Sequence, residues 1–457
     1  MFFTVPLAIF GWPLVVLAIF LALPPRRAII CSVVGAWMFL PMATYDLPGI
    51  PDISKMSIAS ISVFLCTVGF HFPQYSKIQL SWWDCFIFFW LAVPFPAAVV
   101  NGYGVYEGLS IVLSQVFAWG LPYLVGRAFF GTSDSLSELA FGIFVAGLVY
   151  APLVLFEMKM SPQLHTWVYG YHQHTFSQAR KGDGWRPTVF MQHGLAVAMF
   201  MATSSITGLW LWLSGRTKKL LGSPIWVFTV PLFLVSVSCR SSYALLLQVT
   251  GVGAILSLRF FKLRVFLLSI VMIAPIYLIA RTVVGWDAQI LKDIASEMGS
   301  DRARSLNVRL TSEDIILDWM NGHEWIGRSN YSQLIVDTRR TGEKFIPDAL
   351  WVIAYGKFGY IGLVSLLGAL LVGPSLYFLR NSPVGLASPY AAGATSLAVV
   401  LALHACDNLQ NAMINPIYML VAGGLVTLST APRRLGENAR FDIVVKQASS
   451  SDLRSKA

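Results

Sequence analysis

Charged residues are scarce in this sequence: Asp, Glu, Lys and Arg make up only 12% of its 457 residues, about half the roughly 25% of a soluble domain. That shortage excludes a large water-soluble enzyme. Cysteine is sparse as well. Cys31, Cys66, Cys85, Cys239 and Cys406 share no CxxC spacing, which argues against zinc-finger and dithiol frameworks. They read as small buried hydrophobes, although Cys239 and Cys406 fall near one face and leave a disulfide open. The chain has no Walker loop, GxGxxG or HExxH, the motifs whose glycines or paired histidines hold phosphates or zinc. It also lacks a D-x-D pair to hold a metal and a nucleotide sugar. Nucleotide hydrolysis and direct nucleotide-sugar use are therefore not expected. No basic n-region precedes the first apolar run, so Val5–Leu23 reads as a retained span, not a signal peptide.

Hydrophobic residues, by contrast, make up 56% of the chain, and its mean hydropathy is +0.64. Apolar runs occur at about 5–23, 28–43, 56–72, 82–100, 108–126, 138–157, 191–213, 224–239, 241–258, 264–284, 361–379, 388–406 and 412–429. A helix needs about 20 apolar residues to cross a bilayer and a barrel strand about 10, so these runs are helices. Lipid leaves no other way to satisfy the backbone. The expected fold is all-α, a polytopic membrane bundle of about 12–13 spans with a large, partly helical periplasmic loop. Residues 1–284 form a bundle of about ten spans with an outer loop at 158–190. Residues 285–360 form the large loop, 361–430 the last spans and 431–457 a cytoplasmic tail.

The charge pattern orients the bundle. Arg26 and Arg27, Lys77, Arg127, Arg216 with Lys218 and Lys219, Arg259 with Lys262 and Arg264, Arg380, and finally Arg433, Arg434 and Arg440 follow every second run. Basic loops stay on the cytoplasmic side. The net charge of +10 is thus spread over short loops between spans, and no nucleic-acid partner is expected. The polar tail reads as a disordered extension.

The polar chemistry gathers between Val284 and Gly362. That stretch holds 11 of the 23 acidic residues, together with Arg302, Arg304, Arg309, Arg328, Arg339 and Arg340. Within it, Thr311–Met320 reads as a short amphipathic helix. Thr311 and Asp314 resemble a capping box, with Ile315, Ile316, Trp319 and Met320 on one face and Glu313, Asp314 and Asp318 off it. A second helical piece, Asp348–Lys357, follows Pro347, and Gly356 and Gly359 separate it from the next span.

Several residues are candidates for chemistry. Arg240 ends the eighth run beside the hydroxyls of Ser241, Ser242 and Tyr243; a guanidinium fork fits phosphate oxygens two at a time. Arg309 opens the amphipathic helix. Arg186 lies before the seventh span, whose positive end attracts anions. Arg281 is a weaker candidate near the end of the tenth run. His165, His172, His174 and His193 cluster in or beside the 158–190 segment. The His172-x-His174 spacing could chelate a metal, but no third ligand is fixed, and no metal is assigned. Asp348 is placed as a helix cap or as a general base. Asp407 and Asn408, at the end of the twelfth run, line the same expected cavity.

Together these pieces resemble the O-antigen ligase and O-antigen polymerase superfamily, bacterial inner-membrane glycosyltransferases of the C-type fold. The resemblance covers roughly Arg186 to Gly424. Gly184-Trp-Arg-Pro resembles the family's arginine-bearing start of a middle span, and Ser238-Cys-Arg-Ser-Ser-Tyr its S-R-G element. Asn307-Val-Arg-Leu, followed by Trp319 and Trp325-Ile-Gly, resembles its large-loop R…W…P-x-x-G-x-G motif. Ala354-Tyr-Gly-Lys-Phe-Gly-Tyr-Ile-Gly resembles its E-x-G-x-x-G element. The resemblance implies that Arg240 and Arg309 hold the diphosphate of an undecaprenyl-diphosphate-linked glycan at the periplasmic face. Two departures stand out. Pro347-Asp348-Ala349 occupies the place of the family's Pro-His-Asn, so Asp348 is expected to act as the base in place of histidine. Arg328 and Ser329 follow Gly327, where the family has a second glycine.

The expected activity is transfer of a glycan from undecaprenyl diphosphate to an acceptor hydroxyl of a glycan, lipid or protein, with Asp348 catalytic, Arg240, Arg309, Arg186, Tyr243, His193 and Asp407 binding substrate, and no cofactor. The alternatives are a transporter or flippase for polysaccharide precursors, or a non-catalytic partner in their assembly. Transport requires ionisable residues lining a path; Asp84, Glu157 and Arg281 lie near span ends.

Overall fold

The structure, a computed structural model, describes residues 3–47, 50–297, 300–341 and 345–432. The tail with Arg433, Arg434 and Arg440 lies outside the described residues, as do the side chains of Arg302, Arg339 and Arg340. Among the described residues the protein is a helical bundle, and nine helical segments are long and apolar enough to cross a membrane. Three shorter apolar helices join them. The protein is therefore a multi-pass membrane protein.

The chain begins with α1 (Thr4–Ala22) and α2 (Pro25–Phe39). A hairpin of β1 (Thr44–Leu47) and β2 (Ile50–Ser54) precedes α3 (Lys55–His71), whose free N–H groups Ser54 and Ser57 cap reciprocally. The next crossing is α4 (Cys85–Ala92) with α5 (Pro94–Val100); the return is α6 (Gly104–Gln115) with α7 (Leu121–Phe129), joined by a π-turn at Val116–Gly120. The 28-residue α8 (Ser133–Met160) leads to α9 (Leu164–Tyr169) and the small hairpin β3 (Arg180–Lys181) and β4 (Gly184–Trp185). Then come α10 (Gly194–Leu213), the hairpin β5 (Lys219–Leu220) and β6 (Ser223–Pro224), α11 (Trp226–Ser238), α12 (Ser242–Phe261) and α13 (Val265–Ile279). The polar loop holds α14 (Gln289–Glu297), α15 (Ser300–Trp319) and α16 (Ser332–Thr341). The chain closes with α17 (Leu350–Arg380), α18 (Pro383–Leu386), α19 (Ala392–Asp407) and α20 (Pro416–Thr430).

The bundle is built around α10, which is buried along almost its whole length and packs on α8, α11, α12 and α19. Between helices in lipid there is no hydrophobic drive, so close packing of small residues and shared hydrogen bonds take over. Ser204 and Thr207 on α10 return their hydroxyls to their own helix, at 2.9 Å and 2.7 Å. Gln248 on α12 donates to Ser205 at 2.9 Å and to Ser236 at 2.6 Å, tying α10, α11 and α12 together. Where α7 meets α20 the backbones touch: a Cβ on Gly423 would lie 2.1 Å from the Tyr123 carbonyl oxygen.

The two ends of the bundle differ in charge. At one end, Arg26 meets Glu138 at 3.7 Å, Arg216 meets Asp134 at 2.8 Å, and Arg264 reaches the Leu379 carbonyl at 3.4 Å. Arg127 and Asp84 form a fully buried pair there at 3.0 Å, completed by Tyr123 and Thr427. The basic exits read from the sequence thus fall at one end. The 158–190 segment and the polar loop share the other.

Four sequence readings are corrected. The loop helix α15 begins at Ser300, so Thr311 is mid-helix and caps nothing. Its buried face includes Glu313, which sequence periodicity assigned to the polar side; burial is possible because Arg281 meets the carboxylate at 2.9 Å. The second helical piece begins at Leu350, with Ala349 in the N-cap position, and runs on into the span; its one non-helical residue is Gly359. The possible Cys239–Cys406 bridge is absent: both are free thiols, bonded to the Val235 and Ile270 carbonyls respectively.

Candidate functional site

Arg240 occupies the corner between α11 and α12. Its φ of 53° lies in the left-handed region, which costs a non-glycine residue about 1–2 kcal/mol. The strain is offset by Arg186, whose Nε and Nη2 donate to the Arg240 carbonyl at 3.2 Å and 2.9 Å. The Arg240 guanidinium in turn donates to the Lys181 carbonyl at 2.8 Å, under the β3–β4 hairpin. Two glycines clear the space. A Cβ on Gly184 would lie 2.5 Å from Nη2 of Arg240, and one on Gly194 would lie 2.4 Å from Cδ of Arg186. Sequence reading met Gly184 only as part of Gly184-Trp-Arg-Pro and did not single out Gly194. The Gly184→Ala variant meets only the mobile tip of Arg240. It is expected to keep its thermal midpoint within a degree or two, because the guanidinium is pushed aside and no backbone has to move. A fall of many degrees would refute this.

Arg309 approaches the same end from α15. It makes long contacts, 3.4 Å to Gln410 and 3.3 Å to Asn411, in the turn after α19. Asn411 donates to Oδ1 of Asp407 at 2.6 Å. Oδ2 of Asp407, both side-chain polar atoms of Asn408 and Nδ1 of His404 are buried without a protein partner, the signature of groups awaiting water or ligand. Tyr243, on the first turn of α12, donates to the Cys406 carbonyl at 2.7 Å. The first N–H groups of α17 reach the same turn: Leu350 donates to the Asn411 carbonyl at 3.2 Å and Trp351 to that of Asn408 at 3.4 Å. Asp348, two residues earlier in the chain, is exposed.

Arg186 and Arg309 feel each other. Burial, and then the Arg309 charge, hold the Arg186 guanidinium below its ordinary value, down to about 10. Among the described residues none of Arg186, Arg240 and Arg309 forms an ion pair with a carboxylate. Three segments far apart in sequence thus bring arginines to one end of the bundle, where the nearest carboxylate, Asp407, reaches Arg309 only through Asn411.

Beside Arg186 is a small, shallow cleft lined by His172, His174, Thr188 and His193, with room for about one water molecule. The His174 and His193 rings meet edge to face at 4.7 Å. Nδ1 of His193 accepts the Leu195 N–H at 3.1 Å, capping α10, so its proton sits on Nε2. Among the described residues no cluster of three or more His, Cys, Asp or Glu could hold a metal. Burial, and then His174 and Arg186, push the His193 pKa down to about 3. Its folded value is thus below its unfolded value near 6.5, so the stability it contributes is present above pH 6.5 and is lost as pH falls toward 3. His193→Asn keeps an N-cap acceptor and cannot titrate. Its thermal midpoint is expected to fall less than that of the parent between pH 7 and pH 5; equal slopes would contradict the assignment.

Arg281 holds the loop to the bundle. In the π-turn after α13, it bonds Glu313 at 2.9 Å, Asp314 at 2.6 Å and the Trp286 carbonyl. Tyr277 adds a bond to Glu313 at 2.8 Å. This pin fixes α15, and hence Arg309, to the end of α13. Glu313 and Tyr277 were not expected from sequence. Below it, the loop around Trp325-Ile-Gly threads into the break of α17 at Gly359. Arg328 and Ser329 donate to the Gly356 and Lys357 carbonyls at 3.0 Å and 2.9 Å, and Tyr360 and Ile361 donate to the Glu324 and Trp325 carbonyls at 2.7 Å and 3.2 Å.

No known protein family matches the chain, and no curated protein matches it.

Proposed function

We propose that the protein is a polyprenyl-diphosphate-dependent glycan ligase or polymerase of a bacterial inner membrane, working at the periplasmic face. The observation that carries the proposal is that Arg186, Arg240 and Arg309 come to one end of the bundle and, among the described residues, none forms an ion pair with a carboxylate. Positive charges held together cost free energy unless an anion relieves them, and guanidinium forks suit phosphate oxygens. The membrane setting points to a lipid-borne anion, and the resemblance in motif order to undecaprenyl diphosphate carrying a glycan.

In this reading the donor diphosphate lies across Arg240 and Arg309, with Arg186 behind. An acceptor hydroxyl of a glycan, lipid or protein attacks the anomeric carbon and gives its proton to Asp348. The bond from that carbon to the diphosphate breaks, and the guanidinium groups stabilise the departing charge. Asp407 and Tyr243 position Arg309 and the acceptor side of the cavity. The arginines meet the diphosphate charge, so no metal is required.

Transport is less well supported. The three ionisable residues singled out near span ends have structural partners: Asp84 pairs with Arg127, Arg281 with Glu313, and Glu157 accepts the N–H groups of Leu164, Thr188 and Val189. The test is binding of undecaprenyl diphosphate to the protein in nanodiscs, read by native mass spectrometry. Saturable binding that competes with pyrophosphate is expected, and its absence at near-millimolar ligand would overturn the proposal. Asp348→Asn should retain that binding but lose transfer roughly 100-fold; unchanged turnover would remove Asp348 as base.

A further inference from the structure

The face of α13 that looks away from the bundle is apolar to its very end. Ile276, Ile279, Val283 and Val284 are all exposed, as lipid-facing residues of a spanning helix are. The chain then turns at Gly285, with φ 74°, into α14. On α14, Ile290 and Ile294 lie one helical turn apart, 63% and 51% exposed. Ala295 is buried on another side, and α14 packs on α15. Gln289, Asp293 and Ser296 occupy a third side and are exposed, while Glu297 closes the helix next to the isoleucines. The helix thus has a buried side, an apolar one that follows in the chain on the exposed Val283 and Val284, and a polar one.

We infer that α14 is an interfacial anchor, with Ile290 and Ile294 seated in the lipid leaflet at the arginine-bearing end of the bundle. An amphipathic helix gains free energy by laying its apolar face between acyl chains and headgroups. Because α14 packs on α15, and Arg281 pins α15 through Glu313 and Asp314, the anchor sets the depth at which α15 carries Arg309. The ligand of this surface is the bilayer itself. The seating of α14 rests on the multi-pass membrane architecture and not on the glycosyl-transfer reading.

The test uses the full chain in nanodiscs, with native cysteines replaced by alanine and one nitroxide at a time introduced through Ile290→Cys, Ile294→Cys, Asp293→Cys or Ser296→Cys. Collision with oxygen should exceed collision with a water-soluble nickel chelate severalfold at 290 and 294, and the order should reverse at 293 and 296. Nickel-dominated collision at all four positions places α14 in water and overturns the inference. Low access to both reagents at 290 and 294 shows that a second copy or another protein covers the face, and overturns it equally. If a nitroxide prevents folding, reaction of the unlabelled thiols with a charged maleimide reads the same contrast. Slow modification at 290 and 294 with fast modification at 293 supports the anchor; fast modification at all three sinks it. The spectra report depth without any turnover, so they stand whether or not the diphosphate proposal survives.

Discussion

Arg309→Ala should abolish long-chain surface glycan in cells while the protein still accumulates in the membrane at parental levels. Among the described residues only long contacts to Gln410 and Asn411 hold the Arg309 side chain, so its loss removes little packing. Its charge, however, reaches Arg186 and His193, so the three act at the same end of the bundle. Removing one preorganised group at a developing charge costs roughly 100- to 1,000-fold in rate. The same substitution in Arg240 should cost as much. Arg240→Lys is expected to recover little, because a lysine offers a point charge where a planar fork is needed. The measurement is glycan length by gel, together with the amount of lipid-linked precursor, which should rise as transfer stops. Parental glycan from a fully expressed Arg309→Ala strain would remove the clamp, and with it the enzyme reading. A precursor that accumulates only in the cytoplasmic leaflet would favour a flippase.

Much of the frame behind that expectation was legible in the sequence. Hydrophobic runs long enough to span have few alternatives in lipid, so α8, α10 and α17 were visible as soon as charge was counted. Alternate basic exits placed Arg26, Arg127, Arg216 and Arg264 at one end, where contacts in the structure also put them. Arg240 could be nominated from its place at the end of a span beside hydroxyl donors, Arg186 from the positive helix end it precedes, and Arg309 from its place in the loop helix and the resemblance of Asn307-Val-Arg-Leu.

What escaped were relations between distant residues. Glu313 sits on a helix whose pattern places it with Asp314 and Asp318 on a polar face. It is buried only because Arg281, 32 residues earlier, waits inside. Gly184 and Gly194 are unremarkable glycines until the arginine that each accommodates is seen. Gln410 and Asn411 looked like a short polar link, whereas their side chains face Arg309. Periodicity reports the face a helix would bury against a generic apolar neighbour, and it is blind to a charged partner supplied from elsewhere.

Gly359→Ala is expected to be among the most damaging single methyl groups in the protein, because strain and close contact act together. Gly359 has φ 61° and ψ −158°, a region essentially restricted to glycine. A Cβ there would lie 2.4 Å from the Trp325 carbonyl carbon and 2.5 Å from the Glu324 carbonyl oxygen. Both neighbours are backbone, so neither can swing aside. The break in α17 frees the carbonyls of Gly356 and Lys357 and the N–H groups of Tyr360 and Ile361, and the loop at 324–329 satisfies all four. Forcing the loop out leaves those groups unpaired at 1–3 kcal/mol each when buried, on top of about 1–3 kcal/mol of backbone strain. Gly327→Ala attacks the same joint from the loop side, since its Cβ would lie 2.4 Å from the Lys357 carbonyl. Gly356→Ala is the control. It is helical, and its Cβ would meet side-chain atoms of Ile316 at 2.8 Å and Tyr331 at 3.0 Å, which have room to adjust. Detergent-solubilised Gly359→Ala and Gly327→Ala should therefore show a large drop in thermal midpoint or fail to accumulate, and Gly356→Ala a modest one. Equal midpoints for the three would mean that the loop does not brace the helix break. The two motifs that suggested a glycosyltransferase would then be neighbours in space without a mechanical bond.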